Sequence, residues 1–282
     1  MNERILLVGA TGFLGSAVAS RLAERQAIAL VRPSSDRSVL PTGMPVHVGD
    51  LAAPLPLARI ETLVFCASMG FGHIPALIPQ LEQAGVRRAI FISTTAIFTS
   101  LPSTSRVVRL AAEAAVQASA LDWTILRPTM IYGSARDRNI SRLLRYLSRC
   151  PVFPLSSNAL WQPIYVDDLA DAIVSTLDTP STSKRAYNVA GAEPLSFAEL
   201  LQIAARTVGR RVLLLPVPIH IAVLAARLTR VVTPEQIRRL AEDKAVSIAE
   251  AVRDFNFAPR GFAAGVQLEA ASLGLARGIE RR

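Results

Sequence analysis

The feature that most constrains this chain is a glycine-rich turn held between an apolar run and a helical pattern. Ile5-Leu6-Leu7-Val8 reads as a short buried strand, Gly9-Ala10-Thr11-Gly12-Phe13-Leu14-Gly15 comes next, and Ser16-Ala17-Val18-Ala19-Ser20-Arg21-Leu22 has helical apolar spacing. Glycines in that order let the backbone turn tightly and approach a pyrophosphate, whose charge rests on the unpaired N–H groups of the helix N-terminus. A plain strand-to-helix connection also uses glycines, so the reading depends on the rest of the chain.

Beyond the first helix the pattern alternates. Ala27–Val31, Val46–Val48, Thr62–Cys66, Ala89–Ile92 and Trp123–Leu126 are apolar runs separated mostly by helical patterns, the rhythm of a parallel sheet buried on both faces. Another strand is expected near Pro163-Ile164-Tyr165-Val166, leading into a helix from Asp167 to Leu177, and helices dominate from Tyr187 onward. Ser196 with Glu199, Thr233 with Gln236 and Ser247 with Glu250 have capping-box spacing, and Pro234 suits a first turn. The expected fold is α/β: a doubly wound parallel sheet with a smaller, mostly helical C-terminal lobe. A nucleotide-binding domain is expected over residues 1–135 and a substrate lobe over 136–282, with 160–190 returning to the first domain.

Two cysteines, Cys66 and Cys150, give neither a disulfide framework nor a metal-ligand spacing. No metal site is expected, and His47, His73 and His220 are scattered. No charged-then-apolar leader precedes Ile5, and the apolar stretch Ile219 to Val232 is broken by Arg227 and Arg230, short of the ~20 residues a membrane span needs. A reducing, cytoplasmic setting is expected.

The net charge is +9, and 29 of the 31 basic residues are arginine. Arg138, Arg142, Arg145 and Arg149 recur at helical spacing, without the interleaved aromatics on which bases stack. A solvated helix face, an anionic small-molecule substrate or a membrane surface fits this stripe better than nucleic acid. The membrane reading would add the apolar helix Ile219 to Leu228, and a homo-oligomer is left open.

After the second strand comes Val31-Arg32-Pro33-Ser34-Ser35, where a dinucleotide fold reads the adenosine ribose. An acid there selects a free 2′-hydroxyl, whereas Arg32 offers a fork of donors to a 2′-phosphate. Asp36 lies too far along for a ribose ligand. NADP is therefore expected in preference to NAD.

Taken together, the chain from Ile5 to about Phe262 resembles the short-chain dehydrogenase/reductase superfamily, and within it the extended and atypical NAD-dependent epimerase/dehydratase proteins of Rossmann type. The markers are the loop Gly9 to Gly15, Gly49-Asp50-Leu51, Cys66-Ala67-Ser68, Phe91-Ile92-Ser93-Thr94-Thr95, Leu126-Arg127-Pro128 with Ile131-Tyr132-Gly133, and Gln162 to Ala170. The resemblance implies a pyrophosphate cradle at Thr11, Gly12, Phe13 and Leu14, an adenine contact at Asp50 and Leu51, a ribose wall at Ala67, and Pro128 near the nicotinamide. Asp167 and Asp168 fit a helix start better than an acid/base pair.

The departure lies in the catalytic segment. Family members place a Ser or Thr after the fifth strand, matched by Thr94, and then Tyr-x-x-x-Lys. Counted back from Glu113, that pair falls on Ser105 and Arg109, and no lysine occurs before Lys184. A serine hydroxyl is far less acidic than a phenol, and arginine keeps its proton at any accessible pH. Arg109 retains the positive charge and the donors for ribose hydroxyls. Tyr132 and Tyr165 are alternative proton donors, although each also fits as a packed aromatic.

The resemblance implies an NAD(P)-dependent epimerase/dehydratase-like or reductase-like enzyme acting on a sugar nucleotide or a related carbonyl/hydroxyl substrate. Arg138, Arg142, Arg145 and Tyr165 are the candidate substrate contacts. Loss of the Tyr/Lys pair keeps a non-catalytic NADP(H) sensor open as an alternative, and the arginine stripe keeps a membrane-surface protein open as another.

Overall fold

The computed structural model describes residues 4–221, 223 and 234–276. They form two compact units. The first comprises Met1–Pro128, Val166–Val189 and Ser247–Ala258; the second comprises Thr129–Tyr165, Ala190–Val246 and Pro259–Arg282. The first boundary thus falls at Pro128 rather than residue 135, the return begins at Val166 rather than 160, and a second return occurs at Ser247.

Six strands precede the first excursion: β1 (Ile5–Val8), β2 (Ala27–Val31), β3 (Val46–Val48), β4 (Thr62–Phe65), β5 (Arg88–Ile92) and β6 (Asp122–Pro128). The short strands β7 (Ile131–Tyr132), β8 (Val152–Leu155), β9 (Leu160–Trp161) and β10 (Ile164–Tyr165) belong to the second unit, and β11 (Arg185–Val189) returns to the first. The first unit is a seven-stranded parallel sheet in the order β11-β6-β5-β4-β1-β2-β3. Its strand order reverses at β1, the switch point beside which doubly wound folds bind ligands. The central strands β1 and β4 are buried along their whole length, as a sheet covered on both faces requires. The strand expected near Pro163 to Val166 is present as the short β10, which leads into the helix after it and, among the described residues, pairs only with β7, Ile164 against Ile131. The seventh sheet strand is β11, which lies in the 160–190 return and straddles Tyr187, the residue from which helices are expected to dominate. Its polar alternation Arg185-Ala186-Tyr187-Asn188-Val189 hides a strand that β6 completes.

The first unit's helices are α1 (Phe13–Arg21), α2 (Ile74–Gln83), α3 (Thr104–Ala118) and, after the excursion, α5 (Val166–Leu177). In α1, Leu14, Val18 and Ala19 are buried. Its far end is held by Arg21, which bonds Asp167 and Asp171 of α5. Asp167 thus sits in the first turn, where a carboxylate is favoured, and acts there as an ion-pair partner. At the amino edge of the sheet, Arg88 donates to Thr124 Oγ1 at 2.8 Å, the Thr176 carbonyl at 2.7 Å and Thr182 Oγ1 at 2.8 Å. One half-buried guanidinium therefore joins β5, β6 and the end of α5.

The second unit contains α4 (Ile140–Arg149), α6 (Phe197–Thr207) and α7 (Pro234–Leu240), with β12 (Leu195–Ser196) and β13 (Leu213–Pro216). Then α8 (Ala249–Phe255) rejoins the first unit, and α9 (Phe262–Ser272) belongs to the second. The capping box at Ser196 and Glu199 is present in full. Ser247 instead accepts from Ala249 N at 3.3 Å while Ile248 caps α8. Thr233 and most of the apolar stretch Ile219 to Val232 lie outside the described residues.

Gln162 ties the second unit together. Its side chain accepts from Val246 N at 3.0 Å and donates to the Gly191 carbonyl at 2.8 Å. Glu269 of α9 is fully buried beside Asp137. Burial, reinforced by the neighbouring Asp137, pushes its pKa up to about 9, so this acid is neutral at pH 7. An unfolded glutamate ionises near the ordinary 4.5 while the folded one holds its proton to about 9. The unfolded chain then binds fewer protons across that window, and stability falls as pH rises through it. Glu269→Gln, which copies the neutral acid, is expected to flatten this slope and to melt above the parent at pH 8. A parent-like pH dependence in the variant would show that Glu269 is not the group responsible.

Candidate functional site

Because the sheet is parallel, the segments after β1, β4, β5 and β6 leave from one edge. The three loop glycines there have different physical reasons. Gly9 has φ +79°, and a side chain on it would meet Ala67 N at 2.8 Å. A side chain at Gly15 would overlap the Gly9 carbonyl oxygen. Both are demanded by the protein's own packing. Gly12 is different: its φ of −69° suits any residue, and an added Cβ meets only the Gly9 oxygen, at 3.1 Å. Gly12 caps α1 with no side-chain acceptor and no acid in the first turn. The helix therefore begins with unpaired N–H donors and an open approach to its backbone, which is what a pyrophosphate requires. Thr11, Phe13 and Leu14 complete this loop.

The other cofactor candidates lie along the same region of the first unit. Arg32 is exposed, and its side chain makes no ion pair among the described residues; its backbone N–H donates to Ser35 Oγ at 3.2 Å. Asp50, also exposed, accepts from Ala52 N at 2.9 Å, so one oxygen shapes its own turn. Leu51 and Ala67 are half-buried against the sheet core. Pro128, the last residue of β6, is buried, and its carbonyl accepts from Thr95 Oγ1 at 3.3 Å. Burial pushes the Cys66 thiol up to about 12, which disfavours its thiolate.

At the start of α3, Arg109 donates to Ser105 Oγ at 2.9 Å, and Ser105 Oγ lies 3.0 Å from Ser103 Oγ. A side chain built on Gly70, in the loop after β4, would meet the Arg109 guanidinium at 3.2 Å. The Arg109 cation thus lies against the backbone after β4, and Ser105 is its hydrogen-bond acceptor. Thr94 Oγ1 accepts from Ala96 N at 3.2 Å, which leaves its own proton to donate. Ser93 Oγ beside it is buried without a partner among the described residues.

No tyrosine or lysine of the first unit stands in for the pair among the described residues. Tyr187, mid-strand in β11, donates to Asp254 at 2.9 Å, and burial drives its pKa upward. Lys184 directly precedes β11, at the amino edge, opposite the glycine loop. What sequence reasoning missed is the support for α3. Glu113, fully buried, receives Arg127 Nε at 3.1 Å on each carboxylate oxygen and Nη2 at 2.5 Å. Their spacing gives no signal, since one lies on a helix and the other on β6.

In the second unit, Tyr132 is fully buried, its hydroxyl donating to the Phe262 carbonyl at 3.4 Å with its ring against Tyr165 and Phe262. Gly265 is a glycine because this hydroxyl fills the space of a side chain. The proton-donor expectation for Tyr132 is therefore corrected to a packing role. Tyr165 is buried too, with the Arg260 guanidinium 4.3 Å from its ring centre. Arg138, Arg142 and Arg145 are exposed on and before α4, and Arg145 reaches Ser141 Oγ at 3.4 Å. Among the described residues no group of His, Cys, Asp and Glu is placed to hold a metal, and no helix is long and apolar enough to cross a membrane.

Comparison with known proteins agrees with the geometry. A family profile described as NAD(P)H-binding matches residues 9–180. The UDP-glucose 4-epimerase of Vibrio cholerae is 24% identical over 270 residues, spanning 78% of this chain and 80% of its own. The mitochondrial NADH dehydrogenase [ubiquinone] 1 alpha subcomplex subunit 9 of Arabidopsis thaliana is 29% identical over 257 residues, with 78% of this chain and 62% of the plant subunit aligned. Among solved structures, the UDP-glucose 4-epimerase of Thermus thermophilus in complex with NAD superposes with a TM-score of 0.74 at 19% identity, covering 96% of this chain and 99% of that one. A matched profile over more than half the chain leads to one conclusion: this protein belongs to the NAD(P)H-binding family.

Proposed function

We propose that this protein is an NADP(H)-dependent oxidoreductase of the epimerase/reductase type, in which no tyrosine–lysine pair moves the proton. The observation that carries the cofactor half is the start of α1, which has no side-chain cap and no acid in its first turn, and where an added Cβ at Gly12 would meet only the Gly9 oxygen, at a tight 3.1 Å against the 2.0 Å overlap at Gly15. Thr11 to Leu14 would hold the pyrophosphate, Arg32 the adenosine 2′-phosphate, and Arg109 the ribose hydroxyls. When bound, the nicotinamide supplies a hydride donor or acceptor. The chain's own part is orientation: Thr94 donates its free proton toward a substrate oxygen, and Arg109, clamped on Ser105, lends a fixed positive charge. The oxygen then exchanges its proton with water.

A sugar nucleotide or related carbonyl/hydroxyl compound is the proposed substrate class. The epimerase relatives support it, as do the exposed Arg138, Arg142 and Arg145, which offer donors to a diphosphate. The sensor reading is supported by the Arg109–Ser105 contact, which offers no group that titrates near neutral pH.

NADPH is expected to bind at least about tenfold more tightly than NADH, because a lost charge-assisted contact costs ~1.5–3 kcal/mol, and Arg32→Ala should erase most of that preference. Calorimetric titration of both dinucleotides checks this, and equal affinities in the parent protein would reduce Arg32 to a surface residue. UDP added in parallel should raise the melting temperature if a sugar nucleotide is the substrate.

With an accepted substrate in hand, Thr94→Val should lower kcat by about 10- to 100-fold while Ser105→Ala leaves it nearly unchanged. A large loss from Ser105→Ala would make the serine a working acid. Tight NADPH binding with no turnover on any carbonyl would favour the sensor.

A further inference from the structure

The second unit carries an apolar strip that its own packing does not use. Leu213 and Leu215 of β13 are 59% and 44% exposed, and Ile219 and Ile221 just beyond are 38% and 49% exposed. Strand alternation sets the pattern, since Leu214 between them packs against the unit's core. Among the described residues β13 pairs only with β8, Leu213 against Val152 and Leu215 against Pro154.

The pairing is parallel, so the residues preceding both strands gather at one end. Arg149 precedes β8, Arg210 and Arg211 precede β13, and all three are exposed with no ion pair among the described residues. Leu213 N donates to the Pro151 carbonyl at 2.7 Å, which brings the start of β13 beside the residues just after Arg149. Tyr146 marks the boundary, 41% exposed with its hydroxyl on the Val152 carbonyl at 2.6 Å. No Asp or Glu occurs between Asp137 and Asp167, or between Glu199 and Glu235. The strip is thus basic at one end, aliphatic along its length, and drawn from sequence without acids.

We propose that this β8–β13 edge docks on an anionic lipid bilayer, with the aliphatic side chains in the interface and the arginines on headgroup phosphates. The combination selects the partner. A nucleic acid would meet the arginines but leave Leu213 and Leu215 in water, and it finds no row of aromatics to stack on. A second copy of this edge would bring its unpaired arginines against their equivalents, or leave them without counter-charges. A lipid surface accepts both kinds of side chain at once, and such paired signals are what hold a protein at a membrane without a spanning helix. Arginine forks also suit phosphate.

The test is sedimentation of the full chain with phosphatidylcholine vesicles, with and without about 30% phosphatidylglycerol, at low and high salt. Partitioning is expected to be at least about tenfold stronger on the anionic vesicles and to weaken with salt. Leu213→Ser with Leu215→Ser, and separately Arg149→Gln with Arg210→Gln and Arg211→Gln, should each remove most of it while NADPH binding stays at the parent level. The arginine variant decides if the leucine variant misfolds. Parent protein indifferent to anionic lipid, or variants that sediment like the parent, would overturn the proposal. So would a concentration-dependent dimer abolished by the leucine changes, or retention on an oligonucleotide in place of vesicles.

Discussion

The carbonyl oxygen of Gly9 stands where a side chain at residue 15 would project, and the carboxyl edge of the first unit is arranged around that contact. It lets the first turn of α1 come down onto the end of β1. The backbone after β4 can then approach Gly9 from the other side, with Ala67 N too close for any Cβ there. The consequence is electrostatic. A helix start pressed against a buried strand end has donors with no intrachain acceptors, and an anion completes it at little reorganisation cost. The far end of α1 is anchored independently by Arg21 on Asp167 and Asp171, so the aim of the helix does not depend on a ligand.

The position of Arg109 rests on a second interaction. Arg127 and Glu113 form a bidentate ion pair between β6 and α3, with the carboxylate fully buried and the guanidinium mostly so. Such a pair contributes little net stability, because desolvation offsets the attraction, but breaking it leaves an unpaired buried charge that typically costs ~3–5 kcal/mol. Its effect is to hold α3 in one rotation, so that Arg109, one turn before Glu113, faces the Gly70 backbone and Ser105 together. A lysine and tyrosine at these two positions would carry a proton; an arginine and serine carry only charge and shape.

What could be read from the residues alone tracks the range of the forces involved. The glycine loop is a short-range pattern whose meaning is complete within a strand and a turn, and the buried strands announce themselves by apolar runs. β11 is hidden in the sequence because its burial is supplied by partners far away, with Tyr187 packed on Phe255 and bonded to Asp254. That same contact explains why the return of Ser247–Ala258 to the first unit leaves no trace in spacing. The strand read at Pro163 to Val166 is present, but its partner, two residues of β7, is a tertiary fact that its apolar run does not name. The candidate site residues are named by type and order, but Arg109 against Gly70, Glu113 on Arg127 and the burial of the Tyr132 hydroxyl are tertiary facts that a pattern cannot supply.

The central claim is that Gly12, where an added Cβ would be tight at 3.1 Å but not overlapping, serves a ligand more than the fold, while Gly9 and Gly15 are demanded by the fold. Calorimetric titration of NADPH into Gly12→Ala, with thermal melting of Gly12→Ala and Gly15→Ala alongside, separates the two. The Gly12 variant should melt within a few degrees of the parent yet lose at least about tenfold in affinity, because a methyl group stands where the pyrophosphate meets the helix. The Gly15 variant should melt far lower, since its methyl group collides with the Gly9 carbonyl. A Gly12→Ala protein that binds NADPH as the parent does would contradict the account, and so would one whose affinity falls only in proportion to its stability.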